Sequence, residues 1–262
     1  MANFVPLKNY MLYCLDRFIE QYALRPPFLE VGCGRGEASA HLARAGWHGA
    51  AIDSSPEAIA RARANLAPYP NVSVSNAALE ELSGSWNTIL MWDALEHIDD
   101  DVGALRHLSR LLEAEGALLL AVPSNPCEWR WDDDFYGHFR RYTVEGLGAK
   151  LAQAGLQAEV FWDFTYPVFW AMRRAYTRIK RPPAAAGDRN TATRVSALRN
   201  AWELPLVSGM LDRTGPLWSP LYQLQFRLFR QATARGHEFF ALARRAPGDG
   251  LPCPAVQTEE QA

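Results

Sequence analysis

Four short runs of this 262-residue chain hold residue types that do chemistry at informative spacings. In the first, Glu30 stands two residues ahead of Gly32, Cys33, Gly34 and Gly36, so three glycines fall on alternate positions. Glycine lets backbone N–H groups approach a ligand with no Cβ in between. Dinucleotide sites use a G-x-G-x-x-G spacing and rest a pyrophosphate on the following helix. Here the third glycine arrives one residue early, and Glu30 would repel pyrophosphate while suiting a cationic amino acid ligand. The second run holds Asp53, seventeen residues beyond Gly36. A carboxylate there accepts both hydroxyls of a ribose; the competing reading is a helix cap. The third run is Trp92, Asp93 and His97, and the fourth is the polar–aromatic stretch 126–142, with Trp129, Trp131, Tyr136, His138, Arg140, Arg141 and Tyr142. Histidine titrates near neutrality and serves proton transfer, arginine grips carboxylate or phosphate, and the aromatics exclude water.

The elements that must position these runs follow from periodicity. Leu7, Tyr10, Met11, Cys14, Leu15, Phe18, Ile19 and Tyr22 recur at helical spacing over 7–24, either as a helix packed on the sheet or as a flap over the ligand. Strand Phe28–Val31 leads into the glycine turn, and a helix runs from Glu37 to Ala45, stopped by Gly46. Trp47–Ile52 is a strand ending at Asp53; Ser54, Ser55, Pro56 and Glu57 then signal a helix start. Strands are expected at 71–75, 88–91 and 117–122, with a helix over 101–112 between the last two. Residues 126–142 read as a long loop. Thr143 opens a helix that Gly155 ends, and 156–161 is a strand. Five alternations of strand and helix give a doubly wound α/β sheet. About seventy residues, 164–235, then intervene before a last strand at 237–243. Within them 182–196 reads as a loose loop, and 197–211 and 220–233 as helices. The division expected is a core of 1–163 plus 236–246, a mainly helical insertion at 164–235, and a disordered tail at 247–262.

Leu29-Glu-Val-Gly-Cys-Gly-Arg-Gly36, Ala51-Ile-Asp-Ser-Ser-Pro56 and Asp93-Ala-Leu-Glu-His-Ile98 together, in this order and spacing, resemble the class I S-adenosylmethionine-dependent methyltransferases. The resemblance covers about residues 26–160 and the closing strand. It implies a seven-stranded, mostly parallel Rossmann-like sheet with a helical insertion before the last strand, and S-adenosyl-L-methionine as cofactor with S-adenosyl-L-homocysteine as product. It also implies that the glycine run, with Glu30, holds the methionine part, that Asp53 with Ser54 holds the ribose, that Asn76 accepts from the adenine amine with Ala77 flanking the ring, and that Trp92 and Asp93 border the sulfonium. The Gly137-His138-Phe139-Arg140-Arg141-Tyr142 run resembles the substrate loop of a bacterial branch acting on small molecules, sugars or lipids; a salt-bridged structural loop is the competing reading.

On that reading a hydroxyl or amine acceptor needs a base. His138 is the first candidate and His97 the second, although His97 also suits a capping or packing role. Arg140 or Arg141 would grip an anionic group, and Trp129, Trp131, Tyr136 and Tyr142 would wall the pocket. Oxygen leads as acceptor atom, with nitrogen and carbon as alternatives. The insertion reads as a lid or pocket wall, a dimer surface, or a peripheral membrane contact.

The formal charge of -2 gives no electrostatic argument for nucleic acid. The tetrad Asp93-Ala-Leu-Glu96 is not the N/D-P-P-Y/F of an adenine or amide N-methylase. A nicotinamide oxidoreductase would need the other glycine spacing, and a cofactor-binding module without catalysis remains open. Four scattered cysteines without C-x-x-C make no disulfide scaffold, and no acid cluster has metal-ligand spacing, so no metal is expected. Without a signal peptide or an eighteen-residue apolar run, a cytoplasmic protein with no membrane span is expected.

Overall fold

β1 (Phe28–Val31) is buried along all four residues. A strand without a solvent face must be covered on both sides, which is the signature of a parallel central strand. In the computed structural model, which describes residues 6–180 and 215–246, β1 indeed has parallel neighbours on both edges, β2 (Gly49–Asp53) and β4 (Trp86–Trp92). β3 (Val72–Asn76) extends the sheet beyond β2, and β5 (Leu112–Pro123) beyond β4. β7 (Glu238–Arg245) inserts antiparallel between β5 and β6 (Leu156–Asp163). The seven strands thus run β3-β2-β1-β4-β5-β7-β6. Strand order reverses between β1 and β4, and ligand crevices form at the carboxyl ends of the strands at such a switch point.

Alternating residues feed two cores. Leu90 and Trp92 point to one face and Ile89 and Met91 to the other. On the first face lie α1 (Pro6–Tyr22), α2 (Glu37–Arg44) and α3 (Pro56–Leu66). On the second lie α4 (Asp101–Leu111) and α6 (Val144–Gln153). The last connection contributes α7 (Val168–Ile179) and, counting described helices, α8 (Gly215–Phe229). Both pack on α1: Tyr10 stacks on Phe169 at 5.6 Å and on Tyr222 at 5.1 Å, and the Tyr222 hydroxyl donates to the Pro6 carbonyl at 2.7 Å. A buried aromatic pair contributes about 1 kcal/mol beyond its area, so α1 is fastened to this connection as well as to the sheet.

Several boundaries differ from expectation. β5 begins five residues early, at Leu112 rather than Ala117, because Trp86 pairs with Leu112 across a register shift. β3 runs through Asn76, which pairs with Asp53 at the sheet edge. The stretch 126–142 is not one loop: it holds a 3-10 turn at Pro126–Glu128 and α5 (Trp131–Tyr136), closed by Gly137 at φ 77°. The helix expected from Pro220 starts at Gly215 and ends at Phe229. The expected loop at 182–196, helix at 197–211 and tail at 247–262 lie outside the described residues.

Candidate functional site

The carboxyl ends of β1, β2 and β4 open into one cavity of about 480 Å³. Its floor is the glycine turn, and that turn is left-handed at Gly32, Gly34 and Gly36, with φ of 72°, 53° and 71°. A Cβ on Gly32 would stand 2.8 Å from the Ala94 Cβ, so this strand end admits glycine alone. The turn is tied to β2: Cys33 N donates to the Ile52 carbonyl at 2.8 Å and Gly34 N to Asp53 Oδ2 at 2.9 Å. The other Asp53 oxygen accepts from Ser55 N at 2.8 Å. The cap of α3 is Ser55, whose Oγ accepts from Ala58 N, so Asp53 is not the helix cap. Each Asp53 oxygen keeps a lone pair for a ligand hydroxyl.

Glu30 is buried beneath the turn, with Oε2 accepting from Ser39 N at 2.9 Å and from the Ser39 hydroxyl. Burial pushes its carboxyl up to about 7, against the pull of the Ser39 hydrogen bonds and the Lys8 ammonium. Lys8 reaches in from α1, 3.8 Å from Glu37 Oε2 and 5.4 Å from the centre of the Trp92 ring. Leu7, Lys8 and Met11 line the cavity, so α1 both packs on the sheet and roofs the site.

Cys33, Ser54, Ala77, Trp92 and Asp93 line the cavity with Glu30, Gly32, Gly34 and Asp53. Gly36 does not; it packs on Leu66. Asn76 also stands outside the lining. Because β3 extends through it, its Nδ2 donates to the Asp53 carbonyl at 2.8 Å, and the wall there is Ala77, Ala78, Leu79 and Glu80.

The far end is built by the turn after β4 and by α5. Asp93 sits at φ 47° with its N–H held by the Ala121 carbonyl at 3.0 Å. Its side chain is open to the cavity, but the surrounding protein withholds bulk water and raises its carboxyl, against Lys8 and His138. Trp92 is buried, and its indole N–H finds no acceptor among the described residues. Glu96 is fully buried and neither of its oxygens accepts a hydrogen bond among the described residues. Burial and the neighbouring Asp93 raise its carboxyl well above the usual range. His97 and His138 meet edge to face with ring centres 4.9 Å apart. Burial, then His138, lowers His97 to about 3, so it is a neutral imidazole. His138 Nδ1 lies 2.9 Å from Asp133 Oδ1, which leaves Nε2 toward the cavity, 3.9 Å from Glu96 Oε1.

The two arginines expected to grip an acceptor are engaged elsewhere. Arg140 binds Asp101 at 2.6 Å and the Asp99 carbonyl at 2.8 Å. Arg141 is buried, donating to Asp133 at 2.8 Å and to the Ser124 and His237 carbonyls at 2.8 and 2.9 Å. Trp129 is 38% exposed and donates to Asp134; Trp131 donates to the Thr177 carbonyl; the Tyr142 hydroxyl donates to Asp101. None of these five lines the cavity; of the fourth run only Tyr136 and His138 do. The physical reason is local charge. Glu128, Asp132 and Asp133 neutralise Arg130 and Arg141 of this run and Arg173 and Arg174 of α7, and Asp101 neutralises Arg140, so the run folds into a salt-bridged scaffold. Charged lining residues that the sequence alone does not mark as site residues include Lys8, Glu96 and Glu238. Glu96 lies inside the Asp93–Ile98 motif, whereas Glu238 comes from the strand that closes the sheet and gives no local signal. No described residue between 164 and 235 lines this cavity.

Among the described residues no helix is long and apolar enough to cross a membrane. A family profile described as "Methyltransferase domain" matches residues 8–159. A ubiquinone biosynthesis O-methyltransferase of Xanthomonas oryzae pv. oryzae is 35% identical over 100 residues, 36% of this chain and 41% of that one. The match thus spans less than half of the curated relative's length. Among solved structures, the [4+2]-cyclase SpnF superposes with a TM-score of 0.54 at 18% identity, over 89% of this chain and 80% of that one. The magnesium protoporphyrin IX methyltransferase ChlM from Synechocystis PCC 6803, with bound SAH, superposes with a TM-score of 0.50 at 19% identity, over 62% and 80%. At these identities the superpositions speak for the fold.

Proposed function

This chain belongs to the methyltransferase-domain family, and from that premise we propose that it transfers a methyl group from S-adenosyl-L-methionine to a small-molecule acceptor, most simply an oxygen nucleophile, releasing S-adenosyl-L-homocysteine. The observation that carries the reading is one cavity with two unlike ends: a glycine turn flanked by Glu30 and Asp53, and a corner holding His138, His97, Glu96 and Asp93.

The residues fit the cofactor. Glu30 offers a buried carboxylate to an ammonium. Asp53 offers a lone pair on each oxygen to ribose hydroxyls, and Ala77, Ala78 and Leu79 offer apolar surface to the adenine. Gly32 and Gly34 keep the floor free of side chains. The Trp92 N–H has no acceptor among the described residues. When bound, S-adenosyl-L-methionine supplies an electrophilic methyl group and its own leaving group.

The protein's part is alignment, exclusion of water and handling of one proton. α1 and the Trp92 ring close the cavity over the cofactor end. At the other end, Asp133 fixes the tautomer of His138 by accepting from Nδ1, so Nε2 presents a lone pair to an acceptor hydroxyl. His97 is a neutral neighbour that packs on the His138 ring and does not compete for that proton.

A second reading, an amine acceptor, is favoured by Asp93, Glu96 and Glu238, three carboxyl groups gathered at this end of the cavity that a cationic amine would draw toward ionisation, while Arg140 and Arg141 are neutralised. A third reading is a cofactor-binding module without catalysis; a protein named as a [4+2]-cyclase, SpnF, shares the fold. Calorimetry with S-adenosyl-L-homocysteine tests the whole reading, and absence of binding ends it. Turnover of S-adenosyl-L-methionine against phenol, alcohol and amine panels then separates the acceptors. Binding with no turnover on any panel would favour the non-catalytic reading. The small-molecule acceptor and a cytoplasmic setting are part of this proposal.

A further inference from the structure

The corner of the cavity at Glu96 carries an arrangement that acceptor binding does not require. One donor atom each from Glu96, His97 and His138 lies within 4.8 Å of the other two. The carboxylate is fully buried, yet accepts no hydrogen bond among the described residues. Burying such a group costs free energy that no hydrogen-bond partner among the described residues offsets. Both imidazoles, in contrast, are fixed from behind. Asp133 Oδ1 stands 2.9 Å from His138 Nδ1, and the Gly137 carbonyl takes a hydrogen bond from the His97 ring. A carboxylate or carbonyl behind a ring, holding its tautomer, is the usual outer support of a metal-ligating histidine.

We propose that Glu96, His97 and His138 bind one divalent cation of borderline softness, such as Zn2+ or Co2+, with the remaining coordination positions facing the cavity. Two imidazoles and one carboxylate suit such ions better than Mg2+ or Ca2+, which prefer oxygen sets. Distances allow it. Donors about 2.1 Å from a tetrahedral ion stand about 3.4 Å from one another, and His138 Nε2 is 3.9 Å from Glu96 Oε1, so this pair closes by a small adjustment. A pair at the 4.8 Å limit closes by about 1.4 Å, within the reach of side-chain rotation at Glu96 and the two imidazoles. The set is invisible in sequence because His138 arrives 41 residues after His97.

The inference rests on the reading of this corner as the acceptor end and changes its chemistry. His138 Nε2 cannot both ligate and take a proton. With the ion in place, an acceptor hydroxyl completes the coordination and ionises more readily. Its proton passes to water in the open cavity; the new oxygen–carbon bond forms as the cofactor's sulfur–carbon bond breaks.

The test uses the full chain, freed of metal by chelation and dialysis. Titration with Co2+ followed in the visible region is expected to give one site per chain. Glu96→Gln and His138→Gln should each weaken binding by about tenfold or more, and Asp133→Asn by about tenfold. S-adenosyl-L-homocysteine affinity, measured on the same samples, reports folding and the cofactor end. Wild-type protein that binds S-adenosyl-L-homocysteine but no Co2+ overturns the metal site and leaves the methyltransferase reading intact. Equal Co2+ binding by wild type and His138→Gln also overturns it. Co2+ binding without S-adenosyl-L-homocysteine binding supports the ion site and ends the other reading.

Discussion

His138 Nδ1 and Asp133 Oδ1 lie 2.9 Å apart, and the same carboxylate is gripped by Arg141 at 2.8 Å and Arg173 at 2.9 Å. Burial alone would raise Asp133, but the His138 hydrogen bond and the two guanidinium charges overcome it and hold the carboxyl well below the usual range. Asp133 therefore joins the scaffold of the fourth run to the reactive corner. Asp133→Asn leaves two buried arginines short of charge and should cost about 3 kcal/mol or more in urea denaturation. Turnover should fall further than loss of folded protein explains. Full stability in this variant would show that the arginines do not depend on it.

Replacing His138 by Gln keeps a polar group of similar reach and removes the imidazole. The proposed role predicts a fall in kcat of about 100-fold or more, with S-adenosyl-L-homocysteine affinity changed by no more than about twofold. Near-normal turnover would end the assignment of the acceptor's activation to this residue.

Glu30 gives the cofactor end a pH dependence. Its carboxyl is raised to about 7 by burial, with Lys8 from α1 and Glu37 from α2 facing it. A ligand ammonium beside Glu30 prefers the ionised form. Above pH 7 the carboxylate is already charged; below it, binding must first drive off a proton. Affinity for S-adenosyl-L-homocysteine should thus weaken by up to about tenfold per pH unit below 7. Glu30→Gln should bind weakly and with this slope removed. Calorimetry in buffers of different ionisation enthalpy would detect the released proton, and a slope that survives in Glu30→Gln would refute the assignment.

A different acid governs stability. Asp163 ends β6, facing Tyr10 and Cys14 of α1, with Oδ1 accepting from Thr165 N and Tyr166 N. Burial outweighs these hydrogen bonds and raises it to about 7. Its folded value therefore exceeds its unfolded one, so the native state binds the extra proton between about pH 4 and 7. Stability from this group is full below pH 4 and declines as pH rises to 7, at about 1.4 kcal/mol per unit. Asp163→Asn keeps an acceptor for both N–H groups and should lack this decline. Parallel pH–stability curves for the two proteins would contradict it.

Much of this was legible in the chain. The doubly wound sheet followed from alternating apolar runs and glycine stops, and the glycine turn with Glu30 and Asp53 came from local spacing. What failed to show depends on tertiary pairing. Arg140 and Arg141 look like free cations until Asp101 and Asp133 are brought against them. Trp131–Tyr136 has three acids in succession, which hides a one-and-a-half-turn helix from any test of apolar period. Lys8 and Glu238 enter from the two extremes of the fold, and no spacing rule connects them to β4. Asn76 became an edge-strand residue because β3 runs one position longer than its apolar pattern.

α1 is shared property. One turn of it carries Leu7, Lys8 and Met11 into the cavity, and the adjoining side of the same turns carries Tyr10 against Phe169 and Tyr222. A molecule that takes the place of the Lys8 ammonium above Trp92 and shifts α1 in doing so also shifts the side of the helix packed on α7 and α8. Occupancy of the cavity and the order of those two helices are then thermodynamically reciprocal: whatever grips α7 and α8 from outside tunes the affinity within, and whatever fills the cavity slows amide exchange along α8 by the same free energy.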